Sequence, residues 1–282
     1  MTRKSLQKFV VVDAFTDRPF AGNPAAVCVM DGPADEAWMK AVAREMNLSE
    51  TAFLHPEGAP GPDRAITWRL RWLTPQVEVD LCGHATLASS HVLWQTGRLA
   101  PEAEARFVSR SGPLGARRQD GRIVLDFPSR AVAPSAPLPG LEQALGVPVR
   151  GLHRGGADLL IELDSAQTVR GLRPDQGALA ALDVRGFIVT AAGDQPGVDF
   201  VSRFFGPRVG IPEDPVTGAA HTYLGPFWGA RLGKQHLVGY QASARGGTVH
   251  IQLRGERVDL GGHAVTVSEG EILGPDLGSQ PE

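Results

Sequence analysis

Three short segments carry side chains suited to acid–base chemistry. In EDPVTGAA, at 213–220, turn residues lead straight into a helix start with almost no side chains. Such a start leaves backbone N–H groups free at the positive end of the helix dipole, which favours an anion such as a substrate carboxylate. Thr217, Gly218 and Ala219 are the binding candidates of this loop, with Asp214 as its reactive side chain. Asp214 or Thr217 also has a plainer reading, as the cap of the helix.

The segment DLCGHAT, at 80–86, has the same construction: Gly83 permits close backbone approach, and His84 sits in the opening turn of a helix. Histidine exchanges protons near neutral pH, and a positive helix end should lower its pKa and favour the neutral imidazole. Cys82 is either a stabilised thiolate or an inert buried thiol, and a site-lining, non-catalytic role suits it better. No metal is expected: His84 and His91 lie about 10 Å apart along a helix, too far to share an ion, and no CxxC, HExxH or Walker pattern occurs. In the third segment, NLSETAFL at 47–54, Glu50 stands between a helix end and an apolar strand. Burial there would raise its pKa toward neutrality, as a general acid and base requires; exposure would leave an ordinary surface carboxylate.

The elements that must position these groups are mostly strands, because 34 glycines and 22 prolines punctuate the chain too often for long helices. Strands are predicted over 8–15, 25–30, 65–72, 107–111 and 122–127. Alternation in the third puts Ile66, Trp68, Leu70 and Trp72 on one face. Helices are predicted over 34–46 and from Gly83 to a stop at Gly97. The second is small and apolar without a charged face, which places it inside a sheet or barrel. After the Pro-rich stretch 131–139, a candidate hinge, strands are predicted near 158–163, 186–190 and 198–205. Another small-residue helix over 217–232 follows, then a ladder of strands over 237–243, 248–253, 257–260 and 264–267.

The two halves repeat. TPQVEVDLCGHATLASSHVLW at 74–94 aligns with GPRVGIPEDPVTGAAHTYLGPFW at 206–228. Pro75 falls on Pro207, Val77 on Val209, Val79 on Ile211, Cys82 on Asp214, and, two inserted residues later, Trp94 on Trp228. This predicts two similar lobes, 1–131 and 132–282, the last residues returning to the first lobe, with both loops bordering a cleft suited to a small molecule.

The 42% hydrophobic content gives a chain of this length enough core for two domains, and a net charge of −3 provides no footprint for nucleic acid or an acidic membrane. Two cysteines cannot form a disulfide framework and suit a reducing cytoplasm. The basic start 1–8 precedes an apolar run that Asp13 ends too early for a signal peptide, and no apolar run approaches a membrane span.

Taken together, VDAFTDRPFAGNPAAV, NLSETAFL, LCGHATLA and EDPVTGAA, in this order and spacing, resemble the PhzF (phenazine biosynthesis-like) isomerase family over nearly the whole chain. The resemblance implies an α+β, diaminopimelate-epimerase-like fold of two pseudo-symmetric lobes, each a curved sheet or barrel around a central helix. It implies a cofactor-independent isomerase and a homodimer. In the family's characterised member, which acts on a dihydro-hydroxyanthranilate, the residue matching Glu50 moves a proton between ring carbons. Residues matching His84 and Asp214 assist, and the helix starts at Gly83 and Gly218 hold the substrate carboxylate. Asn23 resembles an asparagine that borders the substrate. The related two-cysteine epimerases place a thiol on each side of the substrate carbon; here those places hold Cys82 and Asp214, against a two-thiol mechanism. Ala219 stands where the phenazine isomerase has a serine, so the substrate need not be the phenazine precursor. Two other readings keep the fold: an epimerase or racemase of an amino or hydroxy acid, and a non-catalytic small-acid binding protein.

Overall fold

The computed structural model describes residues 5–58 and 66–274. Positions 1–4 of the basic start and Ala65, the first residue of the strand expected over 65–72, lie outside them. The chain begins with β1 (Leu6–Ala14), β2 (Asn23–Val29), α1 (Glu36–Met46), β3 (Glu50–Pro56), β4 (Thr67–Leu73) and β5 (Glu78–Val79). Next come α2 (Gly83–Gln95), β6 (Ala105–Ser109), β7 (Gly112–Gln119), β8 (Arg122–Pro128), β9 (Ala133–Pro134), α3 (Leu141–Leu145) and β10 (Gly151–Gly155). Then follow β11 (Asp158–Glu162), α4 (Ala166–Gly171), α5 (Gln176–Ala181), β12 (Gly186–Ala192), β13 (Phe200–Gly206) and β14 (Ile211–Asp214). The last are α6 (Gly218–Leu232), β15 (His236–Gln241), β16 (Gly247–Arg254), β17 (Arg257–Gly262) and β18 (Ala264–Leu273).

Two compact units result. Among the described residues, the first comprises 5–20, 24–58, 66–125 and 263–274; the second comprises Ala21–Asn23 and Asp126–Gly262. The division falls inside β8, upstream of the Pro-rich stretch 131–139. The final strand belongs to the first unit because β18 pairs antiparallel with β1 along its whole length.

Both units follow one connection scheme. In the first, β2 runs parallel to β3, β3 antiparallel to β4, and β4 antiparallel to the short β5; α2 then leads to β6, parallel to β4, and β7 and β8 fold back in turn. In the second, β11 is parallel to β12, β12 antiparallel to β13, and β13 antiparallel to β14; α6 leads to β15, parallel to β13, before β16 and β17. The repeat read in the sequence is the stretch from short strand to buried helix in each unit.

Alternation decides which faces close over the helices. On β4, Trp68, Leu70 and Trp72 are buried, while Arg69 and Arg71 point the other way and pair with Glu57 and Glu78. Helix α2 buries nearly every residue from Gly83 to Trp94, with Ser89 and Ser90 returning their hydroxyls to the carbonyls of Ala85 and Thr86. Helix α6 is largely buried from Gly218 to Gly229 and contains Pro226, which has no N–H to donate to Thr222; the Arg130 N–H fills that place at 3.0 Å. At Gly229 a side chain would meet Leu253 and the Lys234 carbonyl, so a small residue lets α6 lie close to the strands beside it.

Helix α1 starts at Glu36, later than the 34–46 expected, because Asp35 is its N-cap and accepts the Trp38 N–H at 2.9 Å. The short helices α3, α4 and α5 have no counterpart in the sequence reading; at five or six residues they are too brief to establish a helical period. Leu87, fully buried on α2, gives a direct test of helix enclosure. Leu87→Ala is expected to cost about 2–5 kcal/mol, read as a lower denaturant midpoint in urea unfolding.

Candidate active site

In the first unit, Asn47 ends α1 in a left-handed conformation, φ 49°, and returns its N–H to the Ala43 carbonyl. The chain turns there and starts β3 at Glu50, whose backbone lies opposite Ala25 of β2. Glu50 is consequently only 8% exposed, which removes the surface-carboxylate reading. Helix α2 brings His84, 4% exposed, against it: His84 Nε2 lies 3.2 Å from Glu50 Oε2. The contact is an ion-pair approach off the hydrogen-bond line, and Glu50 Oε2 accepts no aligned hydrogen bond. On the other edge of the ring, Cys82 Sγ lies 3.5 Å from His84 Nδ1.

These neighbours reverse the expectation for His84. Burial works against charging the ring, but the Cys82 sulfur and the Glu50 carboxylate overcome it and hold the imidazole well above its ordinary pKa. A full carboxylate at contact distance outweighs the partial charge of a helix end. Cys82 goes the other way: burial first, then the Glu50 charge, pushes its thiol up to about 11, so it lines the site as a neutral thiol. Gly83 is the first residue of α2, and Cys82, at the N-cap position, offers the helix no side-chain acceptor.

In the second unit a separate network forms around Asp214, at the end of β14. Asn23 Nδ2 donates to Asp214 Oδ1 at 2.8 Å and to the Val216 carbonyl at 2.9 Å. Thr217 Oγ1 donates to Asp214 Oδ2 at 2.6 Å. Thr217 holds the N-cap position of α6, but its hydroxyl is committed to Asp214 and makes no cap, which corrects the capping reading for Thr217. Gly218 and Ala219 open the helix behind it.

Two residues that the sequence did not single out organise this loop. Gln241, fully buried on β15, accepts the Thr217 N–H with Oε1 at 2.9 Å and donates with Nε2 to the Asp214 carbonyl at 2.7 Å and to Thr217 Oγ1 at 3.1 Å. The backbone partners fix the amide orientation, one being a donor and the other an acceptor. An amide nitrogen only donates, so the Thr217 hydroxyl must spend its own proton on Asp214. His221, also fully buried, hydrogen-bonds through Nδ1 to the Thr217 carbonyl at 2.8 Å, and its Nε2 has no hydrogen-bond partner. Burial drops its pKa to about 4, so it is a neutral ring with its proton on Nδ1. The spacing of His221 four residues after Thr217 was a usable helical signal. Gln241, 24 residues away on a strand, offered none.

Asn23 reaches this network because Arg245 captures the backbone beside it, donating to the carbonyls of Gly22 and Ala21 at 2.8 Å each. The Gly22 N–H also donates to the Gly246 carbonyl. These bonds explain why Ala21–Asn23 packs with the second unit.

A hydroxyproline epimerase from Agrobacterium vitis, solved with bound trans-4-hydroxy-L-proline, superposes at a TM-score of 0.64 with 13% identity over 99% of this chain and 96% of that one. That likeness defines the class of fold, the diaminopimelate-epimerase-like α+β class. A phenazine biosynthesis protein of the PhzF family from Enterococcus faecalis superposes at 0.89 with 43% identity, over 95% and 99% of the two chains. An uncharacterized isomerase of Halalkalibacterium halodurans is 48% identical over 266 residues, 93% of this chain and 97% of that protein. The sequence profile of the phenazine biosynthesis-like family, PhzC-PhzF, matches residues 12–270, and the chain belongs to that family.

The two buried histidines are expected to respond oppositely to pH. His221, depressed in the folded state, contributes stability above the unfolded value near 6.5, and that contribution is lost as pH falls toward about 4; its full size is roughly 3 kcal/mol. His84, raised, contributes stability below that unfolded value and loses it as pH rises through its folded pKa. NMR titration of the imidazole signals should find one ring still charged well above pH 6.5 and another neutral down to about pH 4. Gln241→Leu removes three hydrogen bonds from the 214–217 loop, and a stability loss of at least roughly 1–3 kcal/mol is expected in thermal unfolding.

Proposed function

We propose that the protein is a cofactor-independent isomerase in which Glu50 removes and returns a carbon-bound proton on a small carboxylate-bearing metabolite. The observation that carries this reading is the buried Glu50 carboxylate with an oxygen free of aligned hydrogen bonds, set 3.2 Å from His84. With no aligned donor on that oxygen its lone pair stays open toward a substrate proton, and the ring beside it balances the carboxylate charge. When Glu50 takes a proton, the pair changes from net neutral to net positive, and that charge stabilises the enolate or carbanion forming on the substrate. Return of the proton to a different carbon completes an isomerisation.

Asp214 is proposed as the assisting carboxylate, and its environment suits a fixed anionic acceptor. Asn23 and Thr217 both donate to it, and the bond from Gln241 leaves the Thr217 hydroxyl no other acceptor for its proton. The substrate carboxylate is assigned to the N–H groups at Gly83, Gly218 and Ala219, since neither long helix has a side chain of its own N-cap residue on its first N–H groups. Cys82, a neutral thiol, lines the site. A two-thiol epimerase mechanism lacks its second member: Cys28 is buried against α1, within another cluster of the core. The family resemblance extends the proposal to a homodimer.

The test is incubation in deuterated water with a panel of cyclic and amino carboxylic acids, the phenazine precursor among them, followed by NMR. Enzyme-dependent loss of a carbon-bound proton is expected, and Glu50→Gln should slow it by about 10²–10⁴-fold. Exchange that survives in Glu50→Gln moves the base elsewhere; inverted product configuration makes the enzyme an epimerase; binding without exchange makes it a small-acid binding protein.

A further inference from the structure

Glu50, Cys82 and His84 present one oxygen, one sulfur and one nitrogen whose ligating atoms all lie within 4.8 Å of one another. Their elements differ in sequence but are fixed in place: Glu50 begins β3, while Cys82 and His84 flank the first residue of α2. The spacing that separates His84 from His91 therefore has no bearing on this trio. Around a tetrahedral zinc ion with bonds of about 2.0–2.3 Å, neighbouring ligand atoms stand roughly 3.3–3.8 Å apart. His84 Nε2 is 3.2 Å from Glu50 Oε2 and 4.0 Å from Cys82 Sγ, so small side-chain adjustments close the tripod.

A second observation points to a ligand. Glu50 is buried, its side chain 11% exposed, and Oε2, which lies 3.2 Å from His84 Nε2, accepts no aligned hydrogen bond. The His84 ring meets that oxygen as an ion pair but out of line, so a lone pair of the carboxylate remains open to a metal ion. We propose that these three side chains form a binding site for a borderline-soft divalent cation, Zn²⁺ or Co²⁺, that switches off the proton-transfer groups when it is occupied. The metal site stands on the geometry alone; its inhibitory effect rests on the function proposed above.

The donor set selects the ion. A thiolate with an imidazole nitrogen favours zinc and cobalt over Mg²⁺ and Ca²⁺, which require oxygen ligands in greater number. On binding, the Cys82 S–H bond breaks as the sulfur–metal bond forms, and that proton, with any on His84 Nε2, passes to the buffer. Three protein ligands leave a fourth position open. The metal takes up the Glu50 lone pair that would accept the substrate proton, so a metal-loaded protein has no base.

The experiment uses the full-length protein, stripped with a chelator and titrated with Co²⁺ and, against a chromophoric chelator, with Zn²⁺. One equivalent of metal is expected, with a thiolate-to-cobalt charge-transfer band in the near ultraviolet and no competition from excess Mg²⁺. Cys82→Ala should abolish the band, and Glu50→Gln should weaken Zn²⁺ binding by roughly tenfold or more. His91→Ala, which alters a ring bonded to Thr266 further along α2, should leave metal binding unchanged. X-ray absorption on the zinc-loaded wild-type protein needs no variant and should find one sulfur in the coordination shell. No stoichiometric binding, a shell without sulfur, or an unchanged band in Cys82→Ala overturns the site. Zinc that binds through these ligands yet leaves proton exchange unslowed overturns the switch while sparing the site; absence of exchange under all conditions tells against the proposed function and leaves the metal titration to be judged by itself.

Discussion

A helix enclosed on every side has nowhere to direct its first N–H groups except into the loop that precedes it, and this constraint shapes both units. Helices α1, α4 and α5, which keep exposed faces, satisfy their first N–H groups with their own cap side chains, Asp35, Ser165 and Asp175. Helices α2 and α6 do not; Cys82 and Thr217 occupy the cap positions without capping. The loops before them are instead held from outside the cap position. The Thr86 hydroxyl returns to the Cys82 carbonyl at 2.6 Å, and Gln241 clamps both ends of the 214–217 turn. The N–H groups stay available because other residues have taken over the structural task.

The same economy separates the two carboxylates. Asp214 receives directed hydrogen bonds on both oxygens and is fixed as an acceptor. Glu50 is buried against a charged ring with an oxygen left off any hydrogen-bond line. One environment immobilises a negative charge, and the other keeps a lone pair usable; carboxyl groups take different tasks when their surroundings differ in this way. Burial first and the Glu50 charge second keep the Cys82 thiol neutral, while the His84 ring, opposed by burial, is raised by Cys82 and Glu50 beside it.

Much of the architecture was legible because it is periodic. Strict alternation exposed β4, with its tryptophans inward and arginines outward, and the small-residue content of α2 and α6 announced their burial. The repeat was legible for the same reason: a short strand, a loop and an apolar helix leave a pattern that survives when most identities differ. No helix among the described residues is long and apolar enough to cross a membrane, in keeping with the absence of long apolar runs. The short helices α3 to α5 left no such pattern.

The sequence by itself determined which residue types stand at the helix starts, and hence which groups are available for chemistry, because those positions follow from local turn and helix signals. Tertiary structure decided their state. It buried Glu50 and placed it against His84, 34 residues further along, and so reversed the pKa direction that the helix dipole alone suggested. It also recruited Gln241 and Asn23 to the Asp214 loop from 27 and 191 residues away. Coulomb and hydrogen-bond energies depend on distances of a few ångströms, and the order of residues along a chain does not encode such distances between segments until the strands are paired.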